Sequence, residues 1–254
     1  MIVLALDTTT RAGSVAVCDD ERVLALVPGD ESRTHVERLP GELAQALDAA
    51  SLARERIDLL AVATGPGAFT GLRIGIAAIQ GLAMTLNKPV IGVSALDALA
   101  AQAINDTNEA KATARGAVEI IVPWMDAQRG EVFATVIDAE SQTVLEPPTA
   151  ATPQLLFDSW RAHFGSRQVV FIGDAAVRDV HLIRNADLHR RWETRSPLPL
   201  APDIARIALR RATNGEAGPP HTLEPIYVRR PDPEIERERE RLARRSQGGE
   251  DGPS

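Results

Sequence analysis

The stretch Gly65-Pro66-Gly67-Ala68-Phe69-Thr70-Gly71-Leu72-Arg73-Ile74-Gly75 follows the apolar run Leu59-Leu60-Ala61-Val62-Ala63 and leads into a second apolar run that reaches Leu86. The first run reads as a buried strand that ends in a glycine loop. Three glycines and a proline between Gly65 and Gly71 permit a tight turn and let another backbone approach closely. The second run predicts a helix. Its only strongly polar side chains between Leu72 and Met84 are Arg73 and Gln80, which the helical period places on one face with Ala77 and Met84. A helix apolar nearly all round must be covered on nearly every side, by its own domain or by a second chain.

Two phosphate-binding motifs fail at this loop. A Walker loop requires Lys-Ser or Lys-Thr after its last glycine, and Gly71 is followed by Leu72-Arg73. The dinucleotide fingerprint requires Gly-x-Gly-x-x-Gly, and here one residue too many separates Gly67 from Gly71. What remains is a strand, a turn and a helix N-terminus, compatible with an anion or with a plain tight turn.

The chain has 254 residues, 44% hydrophobic and 25% charged, enough for one large or two small globular cores. A formal charge of −7 argues against a surface built mainly for nucleic-acid phosphates. The single cysteine, Cys18, excludes an intrachain disulfide and reads as a buried thiol in a strand. No basic leader precedes the first apolar residues, and the stretch Ile74 to Leu86 reads as too short to span a bilayer, so a cytoplasmic location is expected.

Outward from the loop, Ile2–Leu6, Ser14–Val17 and Val23–Val27 read as three antiparallel strands, with Asp7-Thr8-Thr9-Thr10 at the first strand's end. That turn suits either magnesium-bound phosphate or capping by its own side chains. Thr34-His35-Val36-Glu37 is a capping box opening a helix with Val36, Leu39, Leu43, Leu47 and Ala50 as its apolar stripe, bent early at Pro40. His35 lacks a second histidine one turn on, where Leu39 stands, and reads as a surface or interface residue. Val90–Val93 is a strand, followed by a helix to about Ile104 and a polar, alanine-rich loop or frayed helix over 105–114. The second half then repeats the order: strands Val118–Met125 and Glu131–Ile137 around a solvated turn at Asp126–Gly130, a helix from Pro153 to His163, strand Val169–Ile172 with the turn Gly173-Asp174, and a helix from Pro202 to Ala212.

Two similar α/β halves, each opening with a hairpin and carrying a glycine turn, describe the actin-like ATPase (ASKHA) class of fold, in which ATP sits between the halves. Residues 1–104 form the N-terminal half, 115–230 the C-terminal half with helix 201–212 able to pack back, and 231–254 a charged tail without core residues.

The chain resembles the TsaB family (formerly YeaZ). The residues that carry the resemblance are Leu4-Ala5-Leu6-Asp7-Thr8-Thr9, Thr34 to Leu39, the Gly65–Gly75 motif, Gly92-Val93-Ser94, Asp126 to Phe133, Gly173-Asp174 and Pro225 to Arg229. The resemblance implies a non-catalytic subunit in making threonylcarbamoyladenosine beside the anticodon of tRNA. Its partner is the transferase TsaD, which carries a His-x-x-x-His metal pair. The ATPase TsaE joins at that heterodimer, tRNA is met only through the complex, and the chain alone forms a homodimer. With one histidine at the matching position and no such pair elsewhere, neither a metal site nor a catalytic residue is assigned. The expected interface residues are Leu39 and Leu43 on the first helix and Arg73, Ala77, Gln80 and Met84 on the second. Small residues Gly75, Ala78 and Gly81 would let a neighbouring helix approach.

The alternative is an ATP-binding kinase- or hydrolase-like enzyme of the same fold. For it, Asp7, Thr9, Gly65, Gly67, Gly173 and Asp174 are the residues at suitable turns for a weakly held nucleotide; the partner reading requires no cofactor.

Overall fold

The structure, a computed structural model, describes residues 1–111 and 118–228, with the backbone only over 106–111. The tail assigned to 231–254 and part of the polar segment between the halves lie outside the described residues.

The first half runs β1 (Ile2–Asp7), β2 (Ser14–Asp19), β3 (Arg22–Pro28), α1 (His35–Ala49), β4 (Leu59–Gly65), α2 (Phe69–Leu86), β5 (Val90–Ser94) and α3 (Ala95–Lys111). The second runs β6 (Ile120–Asp126), β7 (Val132–Asp138), β8 (Val144–Ala151), α4 (Pro153–Phe164), β9 (Val169–Ile172), α5 (Asp174–Arg178), α6 (Val180–Ala186), β10 (Trp192–Arg195) and α7 (Ala201–Thr213). The two five-stranded sheets have the orders β3-β2-β1-β4-β5 and β8-β7-β6-β9-β10. In each, the first three strands form an antiparallel meander and the last two join in parallel. This duplicated order is the actin-like ATPase arrangement expected from the sequence.

Both faces of the central strands are covered, which is why they read as continuous apolar runs rather than as alternating ones. Val3, Ala5 and Ala61 face a middle layer made of α3 and α7, while Leu4, Leu6 and Val62 face α1 and α2. On the second sheet, Ile121, Met125 and Ile172 face the same middle layer, and Ile120, Val122 and Phe171 face α4 to α6. The two middle helices cross between the sheets: α7, late in the chain, packs on β1, β2, β4 and β5, and α3 packs chiefly on β6 with further contacts to β4, β5 and β9. The Ala201 N–H at the start of α7 donates to Ser14 Oγ at 3.1 Å.

The structure departs from the sequence reading in several places. Helix α3 runs on to Lys111, so of the two readings of the polar segment, loop or frayed helix, the helical one holds as far as that residue. Strands β8 and β10 and helix α6 were not expected from the sequence. β8 carries Pro147-Pro148 and β10 pairs along one side only, so both are sheet edges, where a missing N–H or an interrupted apolar pattern is tolerated. At 18 residues and mean hydropathy 1.4, α2 is long and apolar enough to cross a bilayer by length and composition, contrary to the length argument above. It lies instead on the first sheet, with Leu72, Ile76, Ile79 and Ala83 buried.

A candidate cleft and an open helix face

Between the halves lies a cleft of about 950 Å³. One wall comes from Thr9 to Arg11, the start of α1 and the loop Pro66–Leu72; the other includes Asp126 to Arg129, Phe133 and Asp174.

The first wall is built by close backbone approach. Gly65 has φ of 120°, and a Cβ there would lie 2.7 Å from the Ile226 carbonyl oxygen. At Gly67 a Cβ would lie 2.6 Å from both the Cβ and the carbonyl oxygen of Thr9, and Ala68 N–H donates to that carbonyl at 2.9 Å. The glycine motif therefore seats the Asp7–Thr10 turn directly against the α2 N-terminus. The turn is capped by its own side chain: Asp7 Oδ1 accepts from Thr9 N–H at 2.8 Å and from Thr9 Oγ1 at 2.6 Å. Burial pushes the Asp7 carboxyl above the ordinary range, against the two Thr9 bonds, which lower it.

His35, read from the sequence as a surface or interface residue, lines the cleft. It is half-buried, with Nε2 3.1 Å from the Thr10 carbonyl oxygen and Nδ1 2.8 Å from the Arg38 guanidinium. A carbonyl only accepts and a guanidinium only donates, so Nε2 carries the proton and the Nδ1 lone pair is taken. Both ring nitrogens are thus engaged, and ligating a metal would mean breaking one of these contacts. Burial, then the Arg38 charge, hold its pKa below the usual value. Arg38, at 4% exposure, also donates to the carbonyls of Arg11 and Ala12 and pairs with Glu42, tying α1 to the β1–β2 loop. Nothing in the one-dimensional pattern singled out Arg38; its i, i+4 acid at Glu42 was the available signal.

On the second wall, Asp174 Oδ1 accepts from the N–H groups of Asp126 (3.1 Å) and Ala175 (2.8 Å), and desolvation raises its pKa. Asp126 pairs with Arg178 and accepts from Gln128 N–H and Nε2, while Gln128, Arg129 and Gly130 are exposed, as a solvated turn requires. Gln128, Arg129 and Gly130 all have positive φ.

Of the residues expected to hold nucleotide, Thr9, Gly67 and Asp174 line the cleft. Asp7, Gly65 and Gly173 lie beneath it and are buried, Gly173 because a Cβ would meet the Trp124 carbonyl oxygen at 2.1 Å. Among the described residues, no group of three or more His, Cys, Asp or Glu side chains is placed to hold a metal ion.

The expected interface residues divide. Ala77 and Met84 stand exposed on the outward face of α2, Met84 at 74%. Arg73 is exposed and Gln80 half-buried, and both bond the segment after α7: Arg73 Nε donates to Tyr227 OH at 3.3 Å, and Gln80 Nε2 to the carbonyls of Pro220 (3.1 Å) and Leu223 (3.3 Å). Leu39 is corrected from interface to core: at 3% exposure it packs with Leu4, Leu6 and Val62, because the α1 stripe faces the sheet from Leu39 onward, leaving Val36 65% exposed. Leu43 is half-buried against the same cluster. Gly75 likewise points inward, against Thr8 of β1's end, and does not serve an outside helix.

Comparison with known proteins decides the family. TsaB of Escherichia coli, a tRNA threonylcarbamoyladenosine biosynthesis protein, is 31% identical over 235 residues, covering 90% of this chain and 95% of that protein. The chain belongs to the TsaB family. With that membership comes a role in tRNA threonylcarbamoyladenosine biosynthesis. The family model described as TsaD, tRNA N6-adenosine threonylcarbamoyltransferase, matches residues 22–156, so a TsaD-type domain is present. TsaB of Haemophilus influenzae is 34% identical over 147 residues, 55% of each chain. A crystal structure of YeaZ from Pseudomonas aeruginosa matches with TM-score 0.70 at 27% identity, over 89% of this chain and 99% of that one.

Proposed function

We propose that this chain is a non-catalytic subunit that pairs with the transferase TsaD through the outward face of α2 and activates it. The observation that carries the reading is the open face itself. Ala77 and Met84 sit exposed on a helix of mean hydropathy 1.4, and Val36 at the start of the neighbouring α1 is 65% exposed. An apolar helix face flanked by a second helix suits packing against a like pair from another chain. The engaged nitrogens of His35 and the buried Leu39 one turn on support docking over metal chemistry, since the position that carries TsaD's histidine pair is used here for loop anchoring. In this reading the chain requires no cofactor, and any nucleotide reaching Thr9, Gly67 and Asp174 is held weakly. Without TsaD the same face pairs two copies of the chain. TsaE and tRNA are met through the TsaD complex.

The test is reconstitution. The isolated chain should neither hydrolyse ATP steadily nor form the modified base; mixed with TsaD it should elute as a heterodimer and support modification. Ala77→Glu should abolish both while circular dichroism stays unchanged. Steady ATP hydrolysis by the isolated chain, lost on Thr9→Ala, would favour an enzyme instead.

A further inference from the structure

Residues 214–228 leave α7 and cross back over the first half. Val90 and Gly218 exchange two backbone hydrogen bonds, at 2.9 and 3.1 Å. Gln80, in the middle of α2, grips the carbonyls of Pro220 and Leu223, and the Leu223 side chain is buried at 6% exposure. Past Leu223 the attachment changes in kind. Glu224, Ile226 and Tyr227 are exposed, the last two at 42% and 39%. Ile226 N–H donates to the Thr64 carbonyl at 2.7 Å, and Arg73 Nε donates to Tyr227 OH at 3.3 Å. The Tyr227 ring lies 5.6 Å from that of Phe69, over which the Arg73 guanidinium stacks at 3.9 Å. Ile226, Tyr227 and Val228 then form part of the cleft lining.

We propose that residues 224–228 form a strap, hinged at Leu223 and latched by Tyr227 onto Arg73 and Phe69, which links the cleft to the outward face of α2. Among the described residues this segment is held by the Ile226 backbone bond, the Arg73–Tyr227 bond, the ring contact and the packing of half-buried Val228 on the central core, and with Glu224, Ile226 and Tyr227 exposed it opens at lower free energy than the sheets beneath it. Arg73 belongs to the same helix face as Ala77 and Met84. A partner seated on that face meets the latch, and whatever it does to the latch it does to the cleft lining; the linkage is reciprocal. The part of this proposal that concerns docking rests on the TsaD reading; the latch itself does not.

Tyr227 is the only tyrosine, so the full chain grown with 3-fluorotyrosine gives a single fluorine resonance that reports the latch alone. Arg73→Ala, and independently Phe69→Leu, should move that line toward the position of free fluorotyrosine and speed amide exchange in a peptide covering 224–228, with exchange in β1 and β4 unchanged. Adding purified TsaD to the wild-type chain should shift the line again. If neither variant moves it, there is no latch. If the line ignores TsaD while gel filtration shows the complex formed, the latch is unlinked to docking. If no complex forms, the TsaD reading falls with the linkage, and the two variants still judge the latch by themselves.

Discussion

The second half fills its outer layer with rings. Trp124 stacks on Phe157 with centroids 5.5 Å apart, meets Phe171 edge-on at 5.4 Å, and donates Nε1–H to Asp179 at 3.0 Å; Phe164 and Trp192 close the set at 4.9 Å. The corresponding layer of the first half is aliphatic, made of Leu4, Leu6, Val62, Ile76, Ile79 and Ala83. Glycines there bring the α2 N-terminus onto the Asp7–Thr10 turn. The same strand order thus supports two finishes. Rings supply the volume of the second half's outer layer, whereas small residues fix the position of α2 closely while leaving its outward face open.

Removing the ring at the centre of the aromatic layer should have the largest effect. Trp124→Ala is expected to cost about 3–5 kcal/mol in urea unfolding, from the cavity and from the Asp179 carboxylate losing its indole partner. A loss below about 1 kcal/mol would mean that the rings do not fill this layer. In the first half the sensitive atom is one that is missing. Gly67→Ala should cost about 1–3 kcal/mol, because the new methyl group meets Thr9 backbone and Cβ. Gly81→Ala on the open face of α2, the helix that this turn leads into, has nothing within 4 Å and should stabilise by roughly 0.5–1 kcal/mol. Equal effects at the two glycines would erase the distinction between a seated inner face and an open outer one.

The smallest expected effect is a pH dependence. The folded state resists protonating His35, so its contribution to stability is full above the unfolded pKa of about 6.5 and is lost as pH falls through the lower folded value. His35→Gln keeps a donor and an acceptor but cannot titrate. Its stability should fall less than wild type between about pH 7.5 and 5.5, read by urea midpoints. An identical decline would show that His35 is not held neutral.

Much of the first half was legible because its signals are local: the run Leu59–Ala63, the capping residues Thr34 and Glu37, and the glycine motif each declare an element within a few residues. The Glu37 carboxylate accepts from Thr34 N–H at 2.9 Å and from Thr34 Oγ1 at 2.7 Å. Edge strands β8 and β10 lack such signals, since Pro147-Pro148 interrupts one and the other is only Trp192-Glu193-Thr194-Arg195. The crossing of α3 and α7 between sheets is a long-range fact that neither helix's period contains. At the candidate site, periodicity placed Arg73, Ala77, Gln80 and Met84 on one face. It could not tell that the α1 stripe with Leu39 faces the sheet, nor that Arg73 and Gln80 are gripped by a segment some 140 residues later, as the Gln80–Pro220 bond shows. That segment, Gly218 to Val228, has no regular period to announce it.

The most direct measurement uses the two most exposed large apolar side chains among the described residues, Met84 in the first half and Leu188 in the second, each 74% exposed. Titration calorimetry of TsaD against Met84→Glu and Leu188→Glu compares the same charge at the same exposure in the two halves. The account predicts that Met84→Glu abolishes binding and that Leu188→Glu leaves it at the wild-type level. Normal binding by Met84→Glu, or equal loss in both, would contradict it.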